Sequence, residues 1–225
     1  MRCLLFLSLF ASIEIEANSH EGRAAEAQFA LPAVGSYALD RILRAPEGSV
    51  LDNRRHQQKL SQYTKEKITL LSLMYTACSD EKGCPFALVT LSAIKRELDR
   101  RTSAREHVRL VSLSFDPEHD SPEVMRAYGG SKASARGARR EVPWHFLTTA
   151  SAQQIEPVLA GFDQDVSVPV AATRRKQREM KHLLKVFLID REGWVREIYS
   201  TAYLIPKVVI NDIETLLLEE KRKRN

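Results

Sequence analysis

Glycine and proline are sparse, nine of each in 225 residues, and no internal repeat runs through the chain. Repeat and low-complexity architectures are excluded, and 44% hydrophobic residues at this length suit one sizeable core and fall short of two. The scattered glycines build neither a phosphate-cradling loop nor a dinucleotide fingerprint, which excludes the usual nucleotide-binding motifs. Aromatic residues make up only 7%, and none is interleaved with the basic runs, so nucleic acid is not an expected partner. No apolar run reaches the roughly 20 residues that cross a bilayer as a helix. Cysteine occurs three times, at positions 3, 78 and 84.

The opening MRCLLFLSLFASI has one basic residue followed by a short apolar run, the pattern of a signal peptide. Residues 1–17 are read as that leader, 18–31 as a polar, Ala-rich linker, 32–220 as one domain and 221–225 as a basic tail. Ala25-Glu26-Ala27 has the small-x-small form of a cleavage site but lies far from the apolar run, and Ile15-Glu16-Ala17 is a poorer match, so the cut is not placed. The expected location is periplasmic or exported. Loss of the leader removes Cys3 and leaves one pair, Cys78 and Cys84. The net charge of +5 is clustered at Arg136–Arg140, Arg174–Lys181 and Lys221–Arg224. These runs read as solvated loops and a tail, with peripheral contact to an anionic membrane surface or an acidic protein as the alternative.

Short apolar pieces at Tyr37–Leu39 and Ser49–Leu51, separated by Pro46 and Gly48, suggest an irregular or hairpin start. Ile68–Tyr75 is a nearly continuous apolar strand, and Phe86–Leu98 has helical periodicity. Val108–Phe115 alternates like a half-buried strand. Ser121-Pro122-Glu123 opens a helix that Gly129-Gly130 stops. Trp144–Leu147 is a strand, and Ser151–Phe162 a helix weakened by Pro157. Leu183–Asp190, the Arg191-Glu192-Gly193 turn and Trp194–Ser200 form a hairpin before a final helix from Pro206. This order, β-α-β-α-β-α-β-β-α, points to an α/β thioredoxin-like fold: a central mixed sheet flanked by helices, with an N-terminal hairpin extension.

Cys78 and Cys84 then lie on a strand-to-helix turn. Pro85 suits the first helical position, making Cys84 the expected N-cap and placing both sulfurs near the positive end of the helix dipole. That field favours thiolate, the form that binds metals and attacks disulfides. A purely structural disulfide is the competing reading, but its small loop adds little through chain entropy.

The stretch LLSLMYTACSDEKGCPFALVTLSAI resembles the signature of the Sco/SenC family: a strand, Thr-x-Cys, then a second Cys followed by Pro at the head of a helix. SLSFDPEHDSPE from Ser112 to Glu123, continuing to Tyr128, is similar to a second family segment, and His182 before Val186–Asp190 to a third; the likeness covers roughly residues 65–200. It implies a copper-binding protein outside the cytoplasm, with Cys78, Cys84 and His182 as ligands. It also implies delivery of copper to, or reduction of the cysteines of, the binuclear copper site of cytochrome c oxidase. Two thiolates suit Cu(I), and an added imidazole makes Cu(II) tenable. The expected partner is a cuproenzyme subunit or other redox protein, and Asp116 matches a family acid near the cysteines. The chain departs from the family in having five residues, Ser79–Gly83, between its cysteines where three are usual, with Ser79 in place of a Pro. The longer loop is expected to loosen preorganisation of the sulfurs.

A different class of function uses Cys78 and Cys84 as a redox pair without metal, in a thiol:disulfide oxidoreductase. Zinc suits the same ligands. A peroxiredoxin is disfavoured because Thr76-Ala77-Cys78 is one residue short of Thr-x-x-Cys. His20, His56, His107, His119 and His145 are read as structural or exposed. Asp116, Glu118, Asp120 and Glu123 are read as helix-capping and surface acids rather than a hard-cation site. Trp144, Phe146, Trp194 and Tyr199 are expected in the core.

Overall fold

Seven consecutive buried residues, Ile68–Met74 (ITLLSLM), form the strand around which the protein is built. The computed structural model describes residues 30–133, 141–167 and 180–224. The signal-peptide reading, nearly all of the linker, His20, the basic run at 136–140 and most of that at 174–181 lie outside the described residues. In chain order the elements are β1 (Leu43–Arg44), β2 (Ser49–Leu51), β3 (Gln57–Lys59), α1 (Ser61–Thr64) and β4 (Ile68–Met74). They continue with α2 (Cys84–Leu98), α3 (Thr102–His107), β5 (Val108–Ser114), α4 (Pro122–Gly129), β6 (Trp144–Leu147) and α5 (Ala152–Gly161). Last come β7 (Val166–Ser167), β8 (Lys181–His182), β9 (Val186–Ile189), β10 (Trp194–Tyr199) and α6 (Pro206–Arg224).

The main sheet has the order β1-β10-β9-β4-β5-β6. β4, β5 and β6 run parallel, while β9 is antiparallel to β4, and β10 to β9, so the sheet is mixed as expected. β2 and β3 form the separate N-terminal hairpin. The register pairs Met74 with Ser114 and Ser72 with Val186. The ends of β4 and β5 and the start of β9 therefore meet at one edge. The loops after β4 and β5 and the residues before β9 converge there, and that convergence makes the site.

β5 is buried along its whole length rather than on one face, because a parallel strand between two others is covered on both sides. Its polar side chains are partnered: Ser112 Oγ lies 3.2 Å from Ser72 Oγ and accepts from Trp144 Nε1 at 3.1 Å, and Arg109 donates to the carbonyls of Gln62 and Lys65. Trp144 stacks on Phe146 at 5.1 Å, and both are buried with Tyr199, as expected. Trp194 is only half-buried, and the guanidiniums of Arg41 and Arg44 lie over its ring at 5.3 and 4.0 Å. Pro157 removes one N–H without breaking α5, which closes through Phe162 N–H to Val158 O at 3.1 Å. α6 is helical as far as Arg224, so residues 221–224 of the expected tail form its last turn, where cations complement the helix dipole. Asp212 on α6 accepts from Tyr37 at 2.5 Å and Tyr199 at 2.7 Å, tying that helix to β10 and the N-terminal segment.

Candidate metal and thiol site

β4 ends at Met74, and the chain leaves the sheet through Tyr75 and Thr76. The carboxylate of Asp120, buried after β5, accepts from Thr76 N–H at 2.9 Å, from the Thr76 hydroxyl, and from Ser114 Oγ at 2.5 Å. Asp120 is thus a tether between the two loops rather than a helix cap. Ser121 is the cap of α4, its hydroxyl accepting from Val124 N–H at 3.4 Å. The five-residue spacer between the cysteines folds into a tight turn. Gly83 N–H bonds Asp80 O at 2.8 Å, Lys82 N–H bonds Asp80 Oδ1 at 3.0 Å, and Thr201 Oγ1 donates to Lys82 O at 3.2 Å. The extra length is absorbed by this turn, which restrains a loop that its length alone leaves slack.

The turn also moves the helix start. Gly83, not Cys84, is the N-cap; its carbonyl accepts the first helical bond from Ala87 N–H at 3.1 Å, and Cys84 is the first residue of α2 with Pro85 behind it. Cys84 is buried and Cys78 half-buried, and both are free thiols. Cys84 Sγ lies 3.7 Å from His182 Nε2, while His182 Nδ1 faces Met180 O at 3.5 Å. A proton on Nδ1, pointing at that carbonyl, leaves the Nε2 lone pair toward the sulfurs. The imidazole packs edge-on against Phe115 (ring centroids 5.0 Å apart) and Tyr75 (5.7 Å). A cavity of about 400 Å³ opens alongside, lined by Tyr75, Ser79, Asp80, Met180, Lys181 and His182.

The sequence leads one to expect thiolate character at both sulfurs, but the structure divides them. Cys78 is pushed down to about 5, first because the Cys84 thiol donates to its sulfur. Burial opposes this shift, and the N–H groups of Cys84 and Asp80 and the Tyr75 hydroxyl add to it. Cys84 is pushed up, by serving as that donor and by burial. Burial, with the neighbouring Cys78 charge, raises the Tyr75 phenol to about 12. In the reduced, metal-free protein the alkylation rate of Cys78 should therefore rise through about pH 5 and level off by neutrality, with Cys84 unreactive there. Mass-spectrometric mapping of alkylated peptides against pH checks this. Two thiols titrating together near the ordinary value of about 8.5 would contradict it.

The remaining acids separate. Glu123 forms a two-pronged pair with Arg55 (2.7 and 2.9 Å), and Asp116, buried in the turn after β5, meets His119 Nδ1 at 3.1 Å. Asp116, Glu118 and His119 have ligand atoms within 4.8 Å of one another on that turn. His56 pairs with Asp52 at 3.0 Å, and His145 is held down to about 4 by burial and by Arg109 and Lys67. Sequence reasoning missed the β7–β8 ladder that carries His182, and it missed the roles of Tyr75, Asp120 and Met180. Tyr75 had one available signal, a phenol ending a mostly apolar run.

The SCO1/SenC family profile matches residues 50–218. A search of the curated proteins finds no match. Among solved structures, the fold is similar to that of copper-bound ScoI from Bradyrhizobium japonicum, at 22% identity over 78% of this chain and 99% of that one, with a TM-score of 0.61. Copper-bound yeast Sco1 is similar at 15% identity over 82% and 96% (TM-score 0.62). BsSco, a member of the Sco family of cytochrome c oxidase assembly proteins in which a disulfide switch was identified, is similar at 19% identity over 80% and 98% (TM-score 0.61). With its fold shared by these structures and the profile spanning most of its length, the chain belongs to the SCO1/SenC family.

Proposed function

We propose that this protein is an exported copper-binding protein that delivers copper to, or keeps reduced the thiols of, a respiratory cuproenzyme such as cytochrome c oxidase. The observation that carries this reading is the meeting of the Cys78–Cys84 turn with His182 of β8, with Cys84 Sγ 3.7 Å from His182 Nε2. The donor set fits copper as cargo: soft sulfur for Cu(I), with an imidazole nitrogen that extends the site to Cu(II). Cys78 supplies a ready thiolate at neutral pH. Cys84 holds its proton until it binds, so loading releases that proton. His182 is oriented by the Met180 carbonyl behind it, as ligating imidazoles usually are by an acceptor on their far nitrogen.

The divided thiols also favour a second reading, thiol:disulfide exchange. Cys78 thiolate attacks a partner disulfide, forming a mixed disulfide and releasing one partner thiolate. Cys84, giving up its proton, then displaces the second partner sulfur, so that the partner leaves as a dithiol and this chain holds the Cys78–Cys84 disulfide. Replacing His182 by alanine separates the two. Loss of copper affinity with disulfide exchange intact supports delivery, whereas unchanged copper binding removes His182 from the site.

The Asp80 turn gives a further expected result. Asp80→Ala removes the side-chain bond to Lys82 N–H, loosens the spacer, and should weaken copper binding on the order of 3- to 10-fold without unfolding the protein. Competition titration against a copper chelator measures it, and an unchanged affinity would show that the turn does not restrain the sulfurs. Export is supported by the short apolar leader. A mature N-terminus beyond Ala11, with the protein in the soluble periplasmic fraction, is the expected result; an intact Met1 terminus in the membrane pellet would contradict it.

A further inference from the structure

Tyr75 is buried among groups on which the proposed site depends. Its hydroxyl accepts from Met180 N–H at 3.2 Å and faces Met180 O at 3.5 Å, the same carbonyl that His182 Nδ1 faces at 3.5 Å. Its ring meets His182 edge-on at 5.7 Å and Phe115 at 5.3 Å. The phenol is also near enough to Cys78 to favour its thiolate. The hydroxyl thus bonds the histidine segment, while Tyr75 itself stands where β4 runs into the cysteine loop.

A phenyl ring would fill the same apolar space without a buried hydroxyl needing partners, so the oxygen calls for an account of its own. Besides the bond from Gln164 Nε2 to Leu183 O at 3.1 Å, just past its end, β8 is held by a short ladder. Its ladder with β7 has two residue pairs, Val166 with His182 and Ser167 with Lys181, too short to set an imidazole firmly. We propose that Tyr75 is a positioning residue whose hydroxyl fastens residues 180–182 to the cysteine loop and thereby holds His182 Nε2 against the sulfurs. It acts through Met180 and His182 and need not touch the cargo. The inference rests on the metal reading above for its copper readout alone.

Tyr75→Phe removes the oxygen and keeps the ring. In the metal-free, reduced protein, hydrogen exchange at the Met180 amide should speed up by roughly 3- to 10-fold, the scale of one lost hydrogen bond. Unchanged exchange there would overturn the proposal, whether or not the protein binds copper. Cu(II) affinity, measured by chelator competition, should fall by a similar factor in Tyr75→Phe and should fall no further when the same change is made in a His182→Ala background. An equal loss in both backgrounds would show that the hydroxyl does not work through His182. Absence of Cu(II) binding in the unmodified protein would remove the metal reading, while the Met180 exchange result would still decide whether Tyr75 holds the segment. Thermal denaturation of Tyr75→Phe should stay cooperative; if that variant fails to fold, a semisynthetic amide-to-ester replacement at Met180, which removes the N–H donor and keeps the buried side chain, should give the same His182-dependent loss, and an unchanged Cu(II) affinity there would equally overturn the proposal.

Discussion

Cys84→Ala should abolish copper binding by the reduced protein. The change deletes one of two sulfurs and with it the contact to His182 Nε2, so the loss should exceed the roughly 10- to 100-fold that changes outside the ligand shell cost. A second effect has the opposite origin and a predictable sign. Cys78 is held near 5 first by the thiol of Cys84, so removing that donor should move Cys78 back up toward the ordinary thiol value and slow its alkylation at neutral pH. Cys78→Ala should abolish binding as well. His182→Ala should mainly weaken Cu(II), whose preference for nitrogen is greater, and leave more of the Cu(I) affinity. Isothermal titration with each oxidation state distinguishes these outcomes. A Cys84→Ala protein that still binds copper tightly would show that the metal is held elsewhere.

Asp120→Ala should destabilise the fold by several kcal/mol, at roughly 1–3 kcal/mol for each buried donor left without an acceptor. Three donors lose their acceptor together: the Thr76 amide, the Thr76 hydroxyl and the Ser114 hydroxyl. The residue is 1% exposed, so water cannot replace the carboxylate without entering the space between the loops. Asp120→Asn keeps one carbonyl oxygen and should cost less. Urea unfolding of both variants in the reduced state measures the difference. A cost below about 1 kcal/mol for Asp120→Ala would mean that the two loops are joined by something else.

The strand–helix order was legible because each long element carries its own period or caps: the apolar run of β4, the Ser121-Pro122 start of α4, the Gly193 turn of the last hairpin. What the sequence could not carry were features decided by tertiary contact. β5 reads as half-buried because Arg109 and two serines interrupt it, yet all three are buried and find hydrogen-bond partners there. β7 and β8 are two residues each, too short to leave a periodic trace. At the site, the residue types and their grouping were legible from motif likeness, whereas the division of labour between the sulfurs was not. Both cysteines sit at the head of one helix, but Cys78 takes the N–H groups of Cys84 and Asp80, whereas Cys84 keeps its proton and donates it in a hydrogen bond to Cys78. The turn inside the spacer was likewise hidden, because its bonds, Asp80 with Lys82 and Gly83, form only once the loop is folded.

Cys78, Cys84 and His182 are proposed to form one copper site gated by the state of the two thiols. Copper stoichiometry on the purified protein, measured beside a count of alkylatable thiols, tests it most directly. The reduced protein should hold one copper per chain with both thiols protected from alkylation, and none after the two cysteines have been oxidised to each other. A protein that takes up zinc but ignores copper, or that binds copper with both thiols still free to react, would contradict it.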